Sequence, residues 1–187
     1  MNESASPATR WLAFAWGLAE ATVFFIVPDV LLTRLALKDF RSAWIASLWA
    51  VGGALLGGTV LYLAARNGIA PFLPAAFDLI PGISPDLIDR TGIALHDQGL
   101  AALASGALAG QPYKLYAVHA GLQNVPFLPF IAASAAARLA RFLLTAGLVC
   151  AIGRGLRRQS ESFRLRLHLG GWVAFYVLYF IVMRAGR

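Results

Sequence analysis

Charge is what this sequence has least of. Only 13% of its 187 residues are Asp, Glu, Lys or Arg, while 59% are apolar and the mean hydropathy is +0.67. An average soluble domain carries about 25% charged residues. That deficit excludes a disordered chain, a basic nucleic-acid arm and an ordinary soluble globule. Cysteine is nearly absent too: Cys150 stands alone inside an apolar run. No disulfide framework can form, and the thiol reads as a small buried hydrophobe. His96, His119 and His168 are scattered, so no His/Cys/carboxylate spacing resembles a metal site. The glycines form no phosphate-binding fingerprint. Ser105-Gly106 with His119 lacks the context of a nucleophile–base pair, and His119 reads first as a hydrogen-bonded structural residue, with a proton relay as the alternative. An enzyme is therefore not expected, nor a catalytic residue, a metal or a cofactor. The opening MNESASPATR has neither a positive n-region nor a cleavage site before an uncharged core, so Met1–Arg187 is expected to be the mature chain.

What is present is a set of apolar runs flanked by base. The 16 Lys+Arg against 9 Asp+Glu give +7, and nearly all of it borders those runs. Membrane proteins place Arg and Lys in this way, so the expected partners are membrane lipids and not nucleic acid. The chain is long enough for a single membrane domain, 1–187. Its clearest span is 42–65, 24 residues without a charge, and about 20 suffice to cross a bilayer core. The pairs Gly52-Gly53 and Gly57-Gly58 form a small-residue stripe that another helix can approach closely. A second span runs over 127–152. A third, 169–183, is only 15 residues but carries Trp172, Tyr176 and Tyr179 as interfacial anchors.

Two further apolar stretches contain breaks. The segment 11–33 holds Glu20 in its middle and Pro28-Asp29 near its end; 99–123 holds Gly110-Gln111-Pro112 at its centre with Lys114 close by. Proline removes a backbone donor and turns the preceding residue out of the helical region. Split at Pro28, Gly110 and Pro112, each stretch yields limbs too short to cross, which predicts re-entrant hairpins with buried tips. A continuous kinked helix is the alternative for the first. Pro28 and Pro112 lie 84 positions apart, each leads into a span, and one crossing separates them. The expected fold is thus an all-α integral membrane protein. It is an inverted repeat of two re-entrant hairpins, each followed by a transmembrane helix, plus a C-terminal transmembrane helix. Such repeats with broken helices are a transporter design, with chance similarity between alanine-rich runs as the alternative. Between the spans, 66–98 is an acidic extramembrane loop and 153–168 a basic loop whose arginines suit anionic lipid heads. With Arg34, Lys38 and Arg41 on the same face as the basic loop, the positive side is cytoplasmic.

The candidate substrate and proton pathway follows from charge inside apolar sequence. An ionised Glu20 would cost on the order of 2.5–3.5 kcal/mol at the bilayer centre, and burial favours its protonated form. Asp29 joins the site or caps the second limb. Lys114 suits a phosphate or a partner carboxylate, with snorkelling to the interface as the alternative. Gln111 adds a neutral donor. Arg138 and Arg141, three apart, share a helix face that lines a cavity or, if the helix starts later, meets the interface.

The elements AEATVFFIVPDVLL (19–32), AVGGALLGGTVLYLAARNG (50–68) and GQPYKLYAVHAGLQNVPFLPFIAASAAARLARF (110–142) resemble the DedA family, the bacterial members of the VTT (SNARE-associated) superfamily, and most of all its small YqaA-like branch. The resemblance covers roughly residues 10–153. It implies two opposed re-entrant hairpins in the bacterial inner membrane and the movement of lipids, notably undecaprenyl phosphate. It places the membrane acid of the first hairpin on Glu20 and the acid beside its proline on Asp29. The family's F-x-R-x-x-P-x-x-R pattern is half present: Pro112 matches, Lys114 stands near the second arginine, and Ala109 and Gly110 occupy the region of the first. The expectation is a multi-pass flippase of an anionic lipid, proton-coupled through Glu20, in a homo-oligomer or alone. A passive scramblase and a non-transporting, membrane-organising module are the alternatives.

Overall fold

The computed structural model describes residues 5–69, 77, 80 and 82–185, and every regular element among them is helical. Asp78, within the acidic stretch 66–98, and Arg187 lie outside the described residues.

The long helix α3 (Phe40–Ala64) is the axis of the fold and closes in a π-helical turn, Ala65–Ile69. Asp39 starts it, accepting from the Arg41 and Ser42 amides at 3.2 and 2.9 Å. Before it come α1 (Pro7–Thr22) and α2 (Asp29–Ala36), joined by the non-helical 23–28. Ser6 caps α1, accepting from the Thr9 amide at 3.2 Å with Pro7 in the first turn, where a missing donor costs nothing. α1 runs parallel to α3: the Trp11 and Trp49 rings meet at 5.0 Å, Phe14 lies on Gly53, and Ala21 on Gly57. A Cβ at Gly53 would overlap the Phe14 carbonyl oxygen, so this backbone approach needs the glycine. α2 runs the other way. Leu32 packs with Ala46 and Ala50, and Ala36 with Ala43, nearer the start of α3. The chain therefore folds back at 23–28 and does not continue as a kinked helix.

Short helices also precede the second long apolar helix. After α4 (Pro85–Gln98) come α5 (Ala101–Leu108) and α6 (Tyr113–Leu122). The turn between α5 and α6 places Gly110 at φ +76, a left-handed conformation suited to glycine. Tyr113 lies on Gly58 and Gly121 on Tyr62 and Ala65, so α6 follows the second half of α3 outward. Then α7 (Phe127–Gly155) returns antiparallel to α3, from Tyr62 stacked on Phe130 at 5.4 Å to Ala43 beside Ala146. α8 (Glu161–Ala185) closes the described chain.

Among the described residues, two helices are long and apolar enough to cross a membrane: Phe40–Gly68 and Phe127–Gly155, 29 residues each. The third expected span is part of α8, which begins eight residues earlier than 169 with a charged first third. Much of the basic stretch 153–168 is accordingly helix end, not loop. The acidic stretch 66–98 likewise contains α4. Large apolar side chains stay exposed on α3, α7 and α8, among them Val60, Leu63, Leu128, Val173 and Leu178. The basic and acidic stretches lie at opposite ends of α3. At one end Lys38 pairs with Glu161 at 2.8 Å and Leu37 touches Gly153; at the other, His119 and Gln123 of α6 bond the Ile88 and Gly92 carbonyls of α4.

Candidate functional site

The two breaks meet in the middle of the molecule. Pro28 and Pro112 each stand directly before a helix, where the missing amide would be unpaired in any case. The break at 23–28 exposes backbone groups that water cannot reach in a protein interior, so side chains must satisfy them. Trp16 Nε1 donates to the Ile26 carbonyl at 2.9 Å, Tyr176 Oη accepts from the Val27 amide at 2.9 Å, and Lys114 Nζ donates to the Phe24 carbonyl at 2.7 Å. That last bond joins the tip of one hairpin to the tip of the other.

The five charged candidates for the substrate and proton pathway, Glu20, Asp29, Lys114, Arg138 and Arg141, converge here. Glu20, in the last turn of α1, is ion-paired with Arg138 of α7, and both are buried at about 5% and 4% exposure. Asp29 takes Arg141 at 2.7 Å and the Thr145 hydroxyl at 2.9 Å. Its carboxylate thus serves α7 and does not cap α2, which has no side-chain cap. Arg138 and Arg141 lie 11 and 14 residues into α7, with their planes over Tyr113 (4.7 Å) and Phe142 (5.2 Å). Lys114 is buried at 2% exposure, within electrostatic reach of Glu20 and Arg138. An ammonium carries three donors, and among the described residues the Phe24 carbonyl is its hydrogen-bond acceptor. Arg138 Nε is buried without a partner among the described residues. Gln111 accepts from the Tyr116 hydroxyl. Three cations face two carboxylates, leaving one positive charge.

Glu20, Asp29, Gln111, Lys114 and Arg141 form the floor of a cleft of about 900 Å³ whose walls are mainly apolar, including Phe24, Phe25, Leu144, Leu148, Ile152 and Phe175. Behind the floor, Glu20, Gln111 and Arg138 border a pocket of about 20 Å³, room for roughly one water. Other residues stay apart from it. Ser105 donates to the Ala102 carbonyl of its own helix at 3.2 Å, His119 bonds the Ile88 carbonyl at 2.9 Å, and Cys150 packs beside Ala36 and Ala146. No cluster of three metal-ligating residues exists among the described residues.

Sequence reasoning missed Thr145, which shares Asp29, and a polar group on α8. The latter joins His168 Nε2 to Thr33 Oγ1 at 2.9 Å and Trp172 Nε1 to the same hydroxyl at 3.1 Å. Thr145 was findable, four residues beyond Arg141 on the same helix face. The α8 contacts had no local signal.

No protein-family model matches the chain, and no solved structure matches it. An uncharacterized protein of Haemophilus influenzae is 26% identical over 187 residues, covering 94% of this chain and 89% of its own. An uncharacterized protein of Histophilus somni is 26% identical over 188 residues, covering 95% and 90%. Both similarities extend over nearly the whole chain.

Proposed function

We propose that this chain is a bacterial inner-membrane lipid transporter of DedA type, moving an anionic lipid whose head group is a phosphate, with undecaprenyl phosphate as the substrate. The observation that carries this reading is the meeting of two opposed hairpin tips at a charged floor with one surplus positive charge, under an apolar cleft. On this reading α1–α2 and α5–α6 are re-entrant hairpins. They enter from opposite faces, and α3, α7 and the apolar part of α8 cross. The exposed apolar side chains then face lipid, and the basic end of α3 is cytoplasmic. Non-helical backbone at membrane depth is tolerated where protein satisfies it, as Trp16, Tyr176 and Lys114 do here. A head group entering the cleft would meet Lys114 and Arg141, while its hydrocarbon tail stays against the apolar walls. Glu20 would carry a proton by exchanging its bond to Arg138 for one.

One observation favours a passive scramblase instead: Glu20 and Asp29 already hold arginines, so a coupled cycle would have to break those ion pairs at every turn. Liposomes containing the purified protein and a labelled polyprenyl phosphate, with and without a pH gradient, separate the two. Gradient-driven accumulation that Glu20→Gln abolishes supports coupling; equilibration indifferent to both supports scrambling. In the same vesicles Lys114→Gln should weaken binding of the phosphate more than binding of the neutral alcohol, and Lys114→Arg should retain much of it. Equal loss for both lipids would remove Lys114 from the site.

A further inference from the structure

The cleft has a second polar group at its other end, away from the hairpin tips. Arg164 and His168 lie one turn apart on α8, and both line the cleft among Leu37, Ile152 and Leu156. Each presents a buried nitrogen with no hydrogen-bond partner among the described residues: Arg164 Nε and His168 Nδ1. Buried polar atoms of folded proteins are almost always paired, so two orphans on one wall of one cavity call for a ligand.

The chemistry of that ligand follows from the protons. Thr33 Oγ1 donates its hydrogen to the Asp29 carbonyl at 2.5 Å. Its 2.9 Å contact with His168 Nε2 is then made by a proton on Nε2, and Trp172 Nε1, which lies 3.1 Å from Thr33 Oγ1 and 3.2 Å from Nε2, donates to the second lone pair of the hydroxyl rather than to the protonated nitrogen. With Nε2 protonated, Nδ1 of the neutral ring is an acceptor. The partner must offer Nδ1 a proton and Arg164 Nε an oxygen. A phosphomonoester does both: its second pKa, about 6, lies close to that of imidazole, about 6.5, so one proton can be shared between them. A phosphodiester has no such proton. Arg34 of α2 is the charged side chain of a neighbouring helix that acts on this ring, and it too favours an anion there.

We propose that Arg164 and His168 form a second phosphate site at the mouth of the cleft, which holds the phosphomonoester of a lipid at the basic end before it reaches Lys114. The inference rests on the reading of the cleft as a lipid route. Helix rise places His168 about 12 Å from Tyr176, which holds the first hairpin's tip, so the two sites are separate.

The test uses the full chain in nanodiscs with ¹⁵N-labelled histidine, the His168 signals being assigned with His168→Gln. Farnesyl monophosphate should shift the His168 ring nitrogens and leave those of His96 and His119 unmoved. Farnesol and phosphatidylglycerol should leave all three unmoved. Arg164→Gln should weaken the response about tenfold, as loss of a charge-assisted hydrogen bond does, and Arg164→Lys less. The shift should persist in Lys114→Gln. If farnesyl monophosphate binds in a Lys114-dependent manner and His168 does not move, the mouth site is wrong and the central site stands. If His168 shifts while Lys114→Gln changes no phosphate binding, the mouth site stands and the central one falls. An equal response to inorganic phosphate at the same concentration would overturn the assignment to a lipid.

Discussion

Replacing Glu20 by Leu and Arg138 by Met, singly and together, tests whether the buried pair holds the hairpin to α7. Both residues are about 95% buried, so neither charge can turn to water when its partner is removed. Breaking a buried pair from one side costs about 3–5 kcal/mol in soluble proteins. Interhelical polar contacts in membranes average nearer 0.6 kcal/mol, because the unfolded chain also finds partners there. The expected loss for Glu20→Leu is between these, about 2–4 kcal/mol. The two single variants should differ. After Glu20→Leu the guanidinium remains charged, since arginine does not deprotonate in proteins, and only the faces of Tyr113 (4.7 Å) and Phe142 (5.3 Å) attend it. After Arg138→Met the carboxylate can take up a proton and become neutral, so its cost should be smaller. The double variant leaves an apolar contact and should recover to within about 1 kcal/mol of the parent. Unfolding in bicelles, followed by tryptophan fluorescence, measures all four stabilities. Additive single losses, or a double variant worse than Glu20→Leu, would refute the argument that the pair acts as one unit.

Single cysteines replacing Arg41 and Asp86 in a Cys150→Ala background should label from opposite sides of the membrane, because the Lys38–Glu161 end and the α4 end lie at opposite ends of α3. Labelling from one side would sink the inverted arrangement. Gly53→Ala should cost about 1–3 kcal/mol or more by pushing α1 off α3, whereas Gly52→Ala, whose Cβ would lie 3.7 Å from the Phe14 ring, should cost under about 0.5 kcal/mol. Asp39→Ala should remove about 1 kcal/mol of cap from α3. The Ser42 hydroxyl first, then the Ser42 and Arg41 amides, hold the Asp39 carboxyl below its ordinary pKa. The cap is therefore fully present above the unfolded-state value and is lost as the pH falls through the lower folded one, an acid-side step in thermal stability that Asp39→Asn should lack.

Element positions were legible because they rest on local patterns. The charge-free run at 42–65, the break at Pro28 and the Gly110-Gln111-Pro112 turn each impose a backbone consequence within a few residues. Boundaries were less legible at α8. Its first third is charged, and hydropathy marks where a helix can enter lipid, not where it starts winding. The identity of the site residues was legible for a different reason: a charge in an apolar run is costly anywhere, so each one signals a partner. The partners themselves were not readable. Glu20 and Arg138 are 118 residues apart, Asp29 and Arg141 are 112 apart, and nothing local distinguishes these pairings from Glu20 or Asp29 with Lys114.

The pairing matters for how such a site could release what it binds. Three unpaired cations at the bottom of a low-dielectric cleft would hold a phosphate too tightly to let it leave, since each attraction grows as the local dielectric falls. Glu20 and Asp29 cancel two of them, and Arg138 and Arg141 are turned toward those carboxylates at the start. What remains is the single charge of Lys114, tied by one bond to a carbonyl of the opposite hairpin. A phosphate arriving at Lys114 competes with that bond, so taking the substrate loosens the joint between the tips, and losing it lets the joint re-form. On the transporter reading, substrate binding and the separation of the hairpins are then one event, located at one side chain. Because Lys114→Arg keeps the charge but presents a planar fork, it should bind phosphate and yet re-form the joint less readily. Its binding should therefore survive better than its turnover.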